Sequence, residues 1–385
     1  MKVRILSSLL ALALTWWTVA AIGQSVSCSS GPEIVQGQQA AQFDGLLRKW
    51  EAGGFSGVVL VLNRGEPVMR RAYGFSNWEQ QVRNTLDTRF PVASVTKQFL
   101  AAAILRLETE GRLRVSDPIS KYLGKFPGQV KDATIYDLLT HRSGVISSDT
   151  SFESSSSHEF LEKLKKAPRE SEPGQRYRYS NGGYSLLAAI IERVSGRPFA
   201  TFMEEHLFQQ AGMHCTHFTS DQKTARGYEL AESQISATIA PSLLHRMIPI
   251  TYRPDLRPAQ TISSDWSIRA SGGMVLTVGD LERWEQSLRQ GSILSRKAQA
   301  QMFTRRFPIS DGNQWQAYSW TIEQTASGRA VAHQYGDYWG YQSAYIRYSD
   351  GEWVLFLATN VSVGRGPNGW RPAVRSAFEQ IFLPR

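Results

Sequence analysis

The two ends of the chain have the apolar pattern of β-strands. Residues 57–62 form a continuous apolar run, and residues 67–73 follow after a turn that contains Gly65. Two such runs separated by a glycine-centred break predict a hairpin. Strand patterns return near the C-terminus in the segments 316–322, 343–347 and 353–359.

Between these ends the apolar residues recur with the spacing of helices. In residues 95–108 they lie on one face, and Gly111 is placed to end that helix. Helices are also predicted at 43–50, 133–139, 158–166, 184–194, 277–288 and 372–382. Strands at both ends with helices between them predict an α/β or α+β fold. In this fold one sheet is built from both chain ends, and an all-helical subdomain is inserted at about 105–255.

The first residues have the layout of a secretory signal peptide. Lys2 and Arg4 precede an apolar stretch that reaches about residue 22, and small residues before Gln24 suit cleavage. We therefore expect a signal peptide at 1–23, a leader rich in Gly, Gln and Ser at 24–42, and a folded domain at 43–385. An uncleaved membrane anchor is the alternative, because the stretch approaches the length that spans a bilayer. Cleavage would give a periplasmic or extracellular protein with no stable membrane insertion.

Charge and cysteine content argue against several classes of protein. The net charge is +9, and removing Lys2 and Arg4 leaves +7. The basic residues are scattered rather than interleaved with aromatic ones, so we predict no nucleic-acid partner. The only two cysteines, Cys28 and Cys215, are too few for a disulfide framework or a metal cluster. They either pair in an oxidising compartment or stay apart. We predict no metal and no other cofactor.

The segment Ser94-Val95-Thr96-Lys97 begins the amphipathic helix. Three residues of helix bring Lys97 onto the face of Ser94. A serine hydroxyl needs a base before it becomes a nucleophile, and a lysine is a base only where burial or a neighbouring cation lowers its pKa. The same spacing at Ser220 and Lys223 precedes no apolar helical run, so spacing alone is not diagnostic. In its helical context, Ser94 is the predicted nucleophile and Lys97 its predicted base.

The segment Tyr179-Ser180-Asn181 directly precedes another predicted helix, and it contains the only Tyr-x-Asn of the chain. A phenol near a lysine ammonium loses its proton more easily and can relay it between a serine and a leaving group. An asparagine two residues later can orient the lysine and bind a substrate carbonyl. Alone the motif is weak, since a structural tyrosine before a helix is the default interpretation. Together with Ser94 and Lys97 it predicts a catalytic role for Tyr179 and substrate binding by Asn181.

These motifs resemble those of the serine hydrolases related to class C β-lactamases and low-molecular-mass penicillin-binding proteins. That family includes esterases and D-amino-acid peptidases. Further segments of this chain that match its pattern are 89–97, 138–144, 211–213, 226–228 and 270–274. The resemblance implies an antiparallel sheet flanked by helices, as in β-lactamases and transpeptidases. It also implies a structural role for His141.

The third signature of the family, Lys- or His-x-Gly on an edge strand, is altered in this chain. The position of the cation falls on the glutamine of Gln334-Tyr335-Gly336, and a shift of register by one residue would place His333 there instead. The resemblance implies that residues 334–337 line the substrate and that the backbone N–H groups of Asp337 and Ser94 form the oxyanion hole. A neutral glutamine cannot offer a charge to a substrate carboxylate, which favours uncharged esters or amides.

The leading hypothesis is therefore an exported, metal-independent serine hydrolase that acts on a small ester, amide or peptide through an acyl-enzyme. Esterase-like activity is slightly favoured, with D-amino-acid peptidase and β-lactamase activity as competitors. A non-catalytic, penicillin-binding-like sensor protein is the alternative of another class. The loops at 143–157 and 225–265, which should shape the pocket, carry no readable specificity. The sequence leaves the oligomeric state open.

Overall fold

A computed structural model describes residues 28–124, 132–146, 153–168, 170–230, 256–258, 265–309, 312–325, 328–362 and 370–383. The expected signal peptide at 1–23 lies outside the described residues. So do the central part of the loop at 143–157 and most of the loop at 225–265.

The strands of the described chain build one large sheet and three small ones. In chain order they are β1 (Ile34–Val35), β2 (Gly57–Asn63), β3 (Glu66–Tyr73), β4 (Phe75–Asn77), β5 (Val82–Arg83), β6 (Phe90–Pro91), β7 (Tyr228–Leu230), β8 (Leu256–Pro258), β9 (Val275–Leu276), β10 (Phe307–Pro308), β11 (Gln314–Gln316), β12 (Thr321–Gln324), β13 (Ala330–Tyr338), β14 (Tyr341–Tyr348), β15 (Trp353–Thr359) and β16 (Val361–Ser362). The large sheet has nine antiparallel strands in the order β1-β3-β2-β15-β14-β13-β12-β11-β10. Strand β2 pairs with β15, so both chain ends build this sheet, as the sequence predicts.

The helices lie mostly between the two groups of strands. They are α1 (Gly37–Ala52), α2 (Thr96–Thr109), α3 (Ser120–Leu123), α4 (Ile135–Leu139), α5 (Ser157–Lys166), α6 (Asn181–Ser195), α7 (Phe199–Met203), α8 (Trp266–Gly272), α9 (Val278–Gln290), α10 (Arg296–Phe303) and α11 (Trp370–Phe382). A π-helical turn at Glu204–Phe208 continues α7, and 3₁₀ turns lie at Ala93–Val95 and Ser349–Gly351. Among the described residues, no helix is both long enough and apolar enough to cross a bilayer.

Both faces of the large sheet are buried. Alternate residues of β2 separate between two apolar cores: Val58 packs on the side of the central helices, and Val59 packs on the side of α1 and α11. Phe99 of α2 packs in the first core, and Phe378 of α11 packs in the second. A strand covered on both faces needs apolar side chains at every position, which explains the continuous run at 57–62. The predicted mixed fold, an antiparallel sheet between helical layers, is confirmed.

The N-terminal helix begins earlier than its predicted start at residue 43. It starts at Gly37, and residues 34–35 already form β1 beside β3, so part of the expected leader at 24–42 belongs to the folded structure. Ala40 extends the buried stripe formed by Phe43, Leu47 and Trp50 by one helical turn. The Gly- and Gln-rich composition around Ala40 conceals this stripe in the sequence.

The predicted strand at 316–322 is two strands rather than one. The chain reverses between β11 and β12, where Ser319 adopts a left-handed backbone with φ of 68°. The backbone N–H of Ala317 donates to the carbonyl of Trp320 and closes this reversal. A non-glycine residue with positive φ has no reliable signal in a single sequence. The apolar pattern continues across the turn and therefore predicts one strand.

Candidate active site

The predicted nucleophile lies on a 3₁₀ turn at the start of α2. Ala93, the residue before Ser94, has a φ of 46°, which is rare for a residue with a side chain and costs of the order of 1–3 kcal/mol. Neighbouring elements hold the turn: the N–H of Val92 donates to the carbonyl of Met274, and the hydroxyl of Ser343 donates to the carbonyl of Val92 at 2.7 Å. Strain of this kind next to a predicted nucleophile is typical of a functional turn.

Lys97 reaches Ser94 from inside the protein. Its side chain is fully buried, with Nζ 2.9 Å from the Ser94 Oγ and 2.6 Å from the carbonyl oxygen of Ser271 in α8. Burial lowers the pKa of Lys97 to about 7, because the ammonium loses its hydration. Near neutral pH the protein therefore has molecules with an uncharged amine that can accept a proton from the serine.

Tyr179 reaches the same hydroxyl from the other side. Its Oη lies 2.6 Å from the Ser94 Oγ. Burial raises the pKa of the Tyr179 phenol above its usual value of 10, so the group is protonated. This reverses the expectation that a lysine ammonium helps the phenol to lose its proton. The geometry and the two pKa shifts suit Lys97 as a proton acceptor and Tyr179 as a proton donor.

His141 supports the segment that carries Tyr179. Its Nδ1 accepts a hydrogen bond from the backbone N–H of Ser180 at 3.0 Å, and its ring packs against the rings of Tyr179 and Tyr184 at 4.5 and 4.9 Å between centroids. Burial, together with the nearby charge of Lys97, lowers the pKa of His141 to about 3, so the ring is neutral. These contacts agree with a structural role.

Asn181 is the first residue of α6, two residues after Tyr179. The hydroxyl of Ser180 caps this helix by accepting from the N–H of Gly183 at 2.9 Å. Asn181 is partly exposed, as a residue that binds a substrate must be. The capped start of α6 therefore holds Asn181 in a fixed position relative to Tyr179.

Strand β13 brings Gln334 and Gly336 against the nucleophile turn. The side-chain amide of Gln334 donates to the backbone carbonyl of Ser94 at 3.1 Å. A Cβ at Gly336 would collide with the carbonyl of Val92 and the hydroxyl of Ser343, so only glycine allows this approach. β12 pairs with β13 only as far as His333, which leaves residues 334–338 with β14 as their one neighbour in the described sheet. Strand β13 as a whole is therefore an inner strand, and only residues 334–338 have the predicted edge position.

His333 cannot take the position of Gln334, because adjacent residues of a strand point to opposite faces. Its Nε2 lies 3.4 Å from a carboxylate oxygen of Glu323, and its ring stacks on Tyr335. Both His333 and Tyr335 face α11 rather than Ser94, and the Tyr335 hydroxyl accepts from Arg375 at 3.0 Å. The two side chains predicted as possible substrate contacts are therefore turned away from the nucleophile.

The side chain of Asp337 also lies toward α11. Its carboxylate is 2.6 Å from the Nη1 of Arg371 and accepts from the amide of Gln342 at 3.2 Å. Only the backbone of Asp337 is thus available to the site, which agrees with the predicted use of its N–H rather than its carboxylate. Within the described residues no group of His, Cys, Asp and Glu side chains is arranged to hold a metal ion.

Sequence reasoning missed Ser271 and Ser343. Their contacts with Lys97 and Val92 join residues that are 174 and 251 positions apart. Ser271 lies within a segment that matches the family pattern, but no local signal assigns it a contact. Only the packing of α8 and β14 against the nucleophile turn reveals both.

The chain is similar to known proteins over most of its length. The sequence profile of the Beta-lactamase family matches residues 40–377. Penicillin-binding protein 4* of Bacillus subtilis is 26% identical over 324 residues, which cover 80% of this chain and 68% of that protein. A D-aminopeptidase of Brucella anthropi is 33% identical over 179 residues, which cover 44% and 34%. The chain spans between 34% and 68% of the length of curated relatives from B. subtilis, Staphylococcus aureus and Br. anthropi.

Solved structures share the fold. A penicillin-binding protein from Bacillus halodurans superposes with a TM-score of 0.70 at 25% identity, covering 88% of this chain and 99% of that one. EstCE1, described as a hydrolase with promiscuous acyltransferase activity, gives a TM-score of 0.72 at 19% identity, covering 88% and 98%. The second likeness concerns the fold alone. The family match extends over most of the chain, and the Ser94 hydroxyl is hydrogen-bonded to a buried lysine and a tyrosine. The protein belongs to the beta-lactamase family of serine hydrolases.

Proposed function

We propose that this protein is an exported hydrolase of uncharged esters or amides, with esterase activity favoured. The observation that carries the proposal is the pair of hydrogen bonds on the Ser94 hydroxyl. One joins it to a buried lysine whose pKa is about 7, and the other to a protonated tyrosine. This arrangement supplies a base and an acid to the same oxygen atom.

In the proposed acylation step, neutral Lys97 takes the hydroxyl proton as Ser94 Oγ attacks the substrate carbonyl carbon. The N–H groups of Ser94 and Asp337 stabilise the resulting oxyanion. When the tetrahedral intermediate collapses, the bond to the leaving group breaks. Tyr179 gives that group a proton and takes one back from Lys97. Water then attacks the acyl carbon while Lys97 takes one of its protons. The bond between the acyl carbon and Ser94 Oγ breaks, Lys97 returns the proton to Oγ, and the acid product leaves.

The substrate preference follows from Gln334. Its amide is neutral, and it already donates to the carbonyl of Ser94. The position therefore offers no charge to a substrate carboxylate, whereas β-lactams and peptide stems both carry one. The binding of substrates without a carboxylate at this position is not weakened by a neutral glutamine in place of a cation.

The alternatives are a D-amino-acid peptidase, a β-lactamase and a non-catalytic sensor. The similarity to a D-aminopeptidase favours hydrolysis of amides of D-amino acids as the second candidate activity. The sensor interpretation rests on the altered third motif alone.

We also propose that the protein is periplasmic or extracellular. The disulfide between Cys28 and Cys215 supports export, because such bonds persist in oxidising compartments.

The test is hydrolysis of p-nitrophenyl butyrate by the purified mature protein, with Ser94→Ala beside it. The chain offers a matched control in Ser220→Ala, since Ser220 is exposed and has the same spacing to a lysine. We expect Ser94→Ala to lose activity about 1000-fold or more and Ser220→Ala to keep it. Equal turnover in the wild type and Ser94→Ala would overturn the assignment of the nucleophile.

Substrate panels then separate the candidate activities. A D-phenylalanine amide that is turned over faster than any ester would favour the peptidase, and rapid opening of a chromogenic cephalosporin would favour the β-lactamase. A protein that forms a stable acyl adduct on Ser94 but releases no product would favour the sensor.

A further inference from the structure

The strand that carries the expected oxyanion donor is held from behind by Arg371. This arginine is the second residue of α11, and its side chain is only 10% exposed. Its Nη1 donates to the backbone carbonyl of Gly336 at 3.2 Å and lies 2.6 Å from a carboxylate oxygen of Asp337. The guanidinium also lies over the ring of Tyr335, 5.2 Å from its centroid. Arg371 thus contacts three successive residues of β13.

The carbonyl of Gly336 and the N–H of Asp337 belong to one peptide group. In a trans peptide these two bonds point in opposite directions within one rigid plane. A donor that fixes the carbonyl therefore fixes the direction of the N–H. On the other side of β13, Gly336 lies against the turn that carries Ser94. Arg371 is in this way placed to aim the Asp337 N–H without approaching the reacting atoms.

The charge of the guanidinium acts in the same direction. A cation bonded to a peptide carbonyl draws electron density toward it, and hydrogen bonds coupled through one peptide strengthen each other. The side chain is buried, so solvent screens little of the effect, and the ion pair with Asp337 offsets part of the charge. The carboxylate of Asp337 shares the same Nη1 and so keeps the guanidinium beside this peptide. The N–H of that peptide becomes a stronger donor to a developing oxyanion.

We propose that Arg371 is a positioning residue for catalysis, which orients and polarises the Gly336–Asp337 peptide that completes the oxyanion hole. The inference rests on the proposed function, since it requires an acyl-enzyme on Ser94. It adds a residue on the far side of the sheet, which touches neither the substrate nor the nucleophile. No local motif of the sequence singles out this residue.

The experiment compares Arg371→Gln and Arg371→Lys with Arg375→Gln as the matched control. Arg375 lies one turn later on α11, is similarly buried, and pairs with Glu323 without bonding the 336–337 peptide. Two quantities are measured for each variant. One is the rate at which an alkyl fluorophosphonate labels Ser94, and the other is kcat and KM for p-nitrophenyl butyrate per labelled site. Referring the rates to labelled sites removes the effect of any unfolded fraction.

We expect Arg371→Gln to lower the labelling rate and kcat about tenfold, because the donor is misaligned rather than deleted. KM should stay within about twofold, since ground-state binding does not use the charge on the oxyanion. Arg371→Lys, which keeps the charge but not the fork of donors, should lie between the wild type and Arg371→Gln, and it serves as the test if Arg371→Gln does not fold. Arg375→Gln should match the wild type.

Wild-type rates in Arg371→Gln would overturn the inference and leave the proposed function intact. An equal loss in Arg375→Gln would also overturn it, because the effect would then come from general loosening of α11. A wild-type protein that the probe does not label at Ser94 would overturn the proposed function and the inference with it.

Discussion

The proton-handling residues of this site are tuned by their removal from water. Lys97, the second residue of α2, is removed from water. In the described structure, the hydrogen-bond partners of its Nζ are the Ser94 hydroxyl and the Ser271 carbonyl. Neither partner is a carboxylate, which would stabilise the charged form of the amine. The same burial keeps Tyr179 protonated. Burial therefore moves the two pKa values in opposite directions, lowering that of Lys97 and raising that of Tyr179.

The pH dependence of the reaction follows from the pKa of Lys97. Below about 7 the lysine is protonated and cannot accept a proton, so kcat/KM for p-nitrophenyl butyrate should rise with pH through about 7 and then level off. His141, with a pKa of about 3, does not titrate in this range. The measurement is kcat/KM between pH 5 and 9. A profile that is flat, or that falls as the pH rises through 7, would contradict the assignment of the base.

Lys97 should also make the fold less stable at low pH. Its pKa is about 7 in the folded protein against 10.5 in the unfolded chain, so the unfolded chain binds more protons between these values. Stability therefore rises with pH across that window, and the destabilisation is complete below pH 7. Lys97→Met should raise the free energy of unfolding by on the order of 5 kcal/mol at pH 6.5, with the gain disappearing toward pH 10.5.

Urea unfolding of wild type and Lys97→Met at several pH values tests this prediction. The exposed Lys49→Met is the control, and it should change stability by less than about 0.5 kcal/mol at every pH. A stability gain in Lys97→Met that does not shrink as the pH rises from 7 to 10.5 would show that the pKa of Lys97 is not lowered in the folded protein.

At the scale of elements, the site is the place where β13, α2 and α8 meet. The strained turn before α2 persists because its neighbours determine its position. β14 donates to it through Ser343, and β13 presses against it at Gly336. Strand β13 contributes the Gln334 amide and backbone to the nucleophile side, and the side chains of His333, Tyr335 and Asp337 to the α11 side. Its alternation therefore connects the chemistry to a buried ionic network behind the sheet.

Gly336→Ala tests the close approach of β13 to the nucleophile turn. A Cβ there would meet the carbonyl of Val92 and force the strand away from Ser94. We expect kcat/KM to fall by about 100-fold and the free energy of unfolding to fall by about 1–3 kcal/mol. Enzyme kinetics and urea unfolding measure the two effects.

Gly45→Ala is the control for this substitution. Gly45 lies in α1 with open space around its Cα, so alanine should leave the activity unchanged and stabilise the helix by about 0.5–1 kcal/mol. Full activity in Gly336→Ala would mean that the approach of β13 to the turn is not needed for catalysis.

At the scale of the whole molecule, the disulfide ties the N-terminal segment to the helical part of the chain. Cys28 and Cys215 are 187 residues apart in sequence, with a Cα–Cα distance of 5.6 Å. Arg89 lies beside the bond, donating to the carbonyl of Cys215 and to the sulfur of Cys28. The cross-link therefore lies next to the segment that leads into the nucleophile turn.

Reduction of this bond should destabilise the protein. Closing so long a loop restricts the unfolded chain, so we expect dithiothreitol to lower the free energy of unfolding by about 2–5 kcal/mol. Thermal unfolding with and without the reductant measures the change. The double variant Cys28→Ser/Cys215→Ser should unfold at the lower temperature in both conditions. A wild-type protein with the same midpoint in both would contradict a bond that forms in solution.

The sequence by itself determined what depends on local geometry. The spacing of Ser94 and Lys97 fixes their proximity, since residues three apart on a helix share a face. The continuous run at 57–62 predicts a strand, and both predictions agree with the structure. The position of Tyr179 just before a helix was equally readable from its neighbours. Ordered motifs matched to a family then supplied the fold.

Only the tertiary structure decided what depends on contacts between distant segments. The register of β13 decides whether His333 or Gln334 faces the nucleophile, because a shift by one residue moves every side chain of a strand to the other face. The proton states of Lys97 and Tyr179 depend on burial by elements far away in sequence. So do the contacts of Ser271 and Arg371 and the pairing of Cys28 with Cys215. Helical spacing is a property of the local chain, whereas burial and register belong to the whole fold.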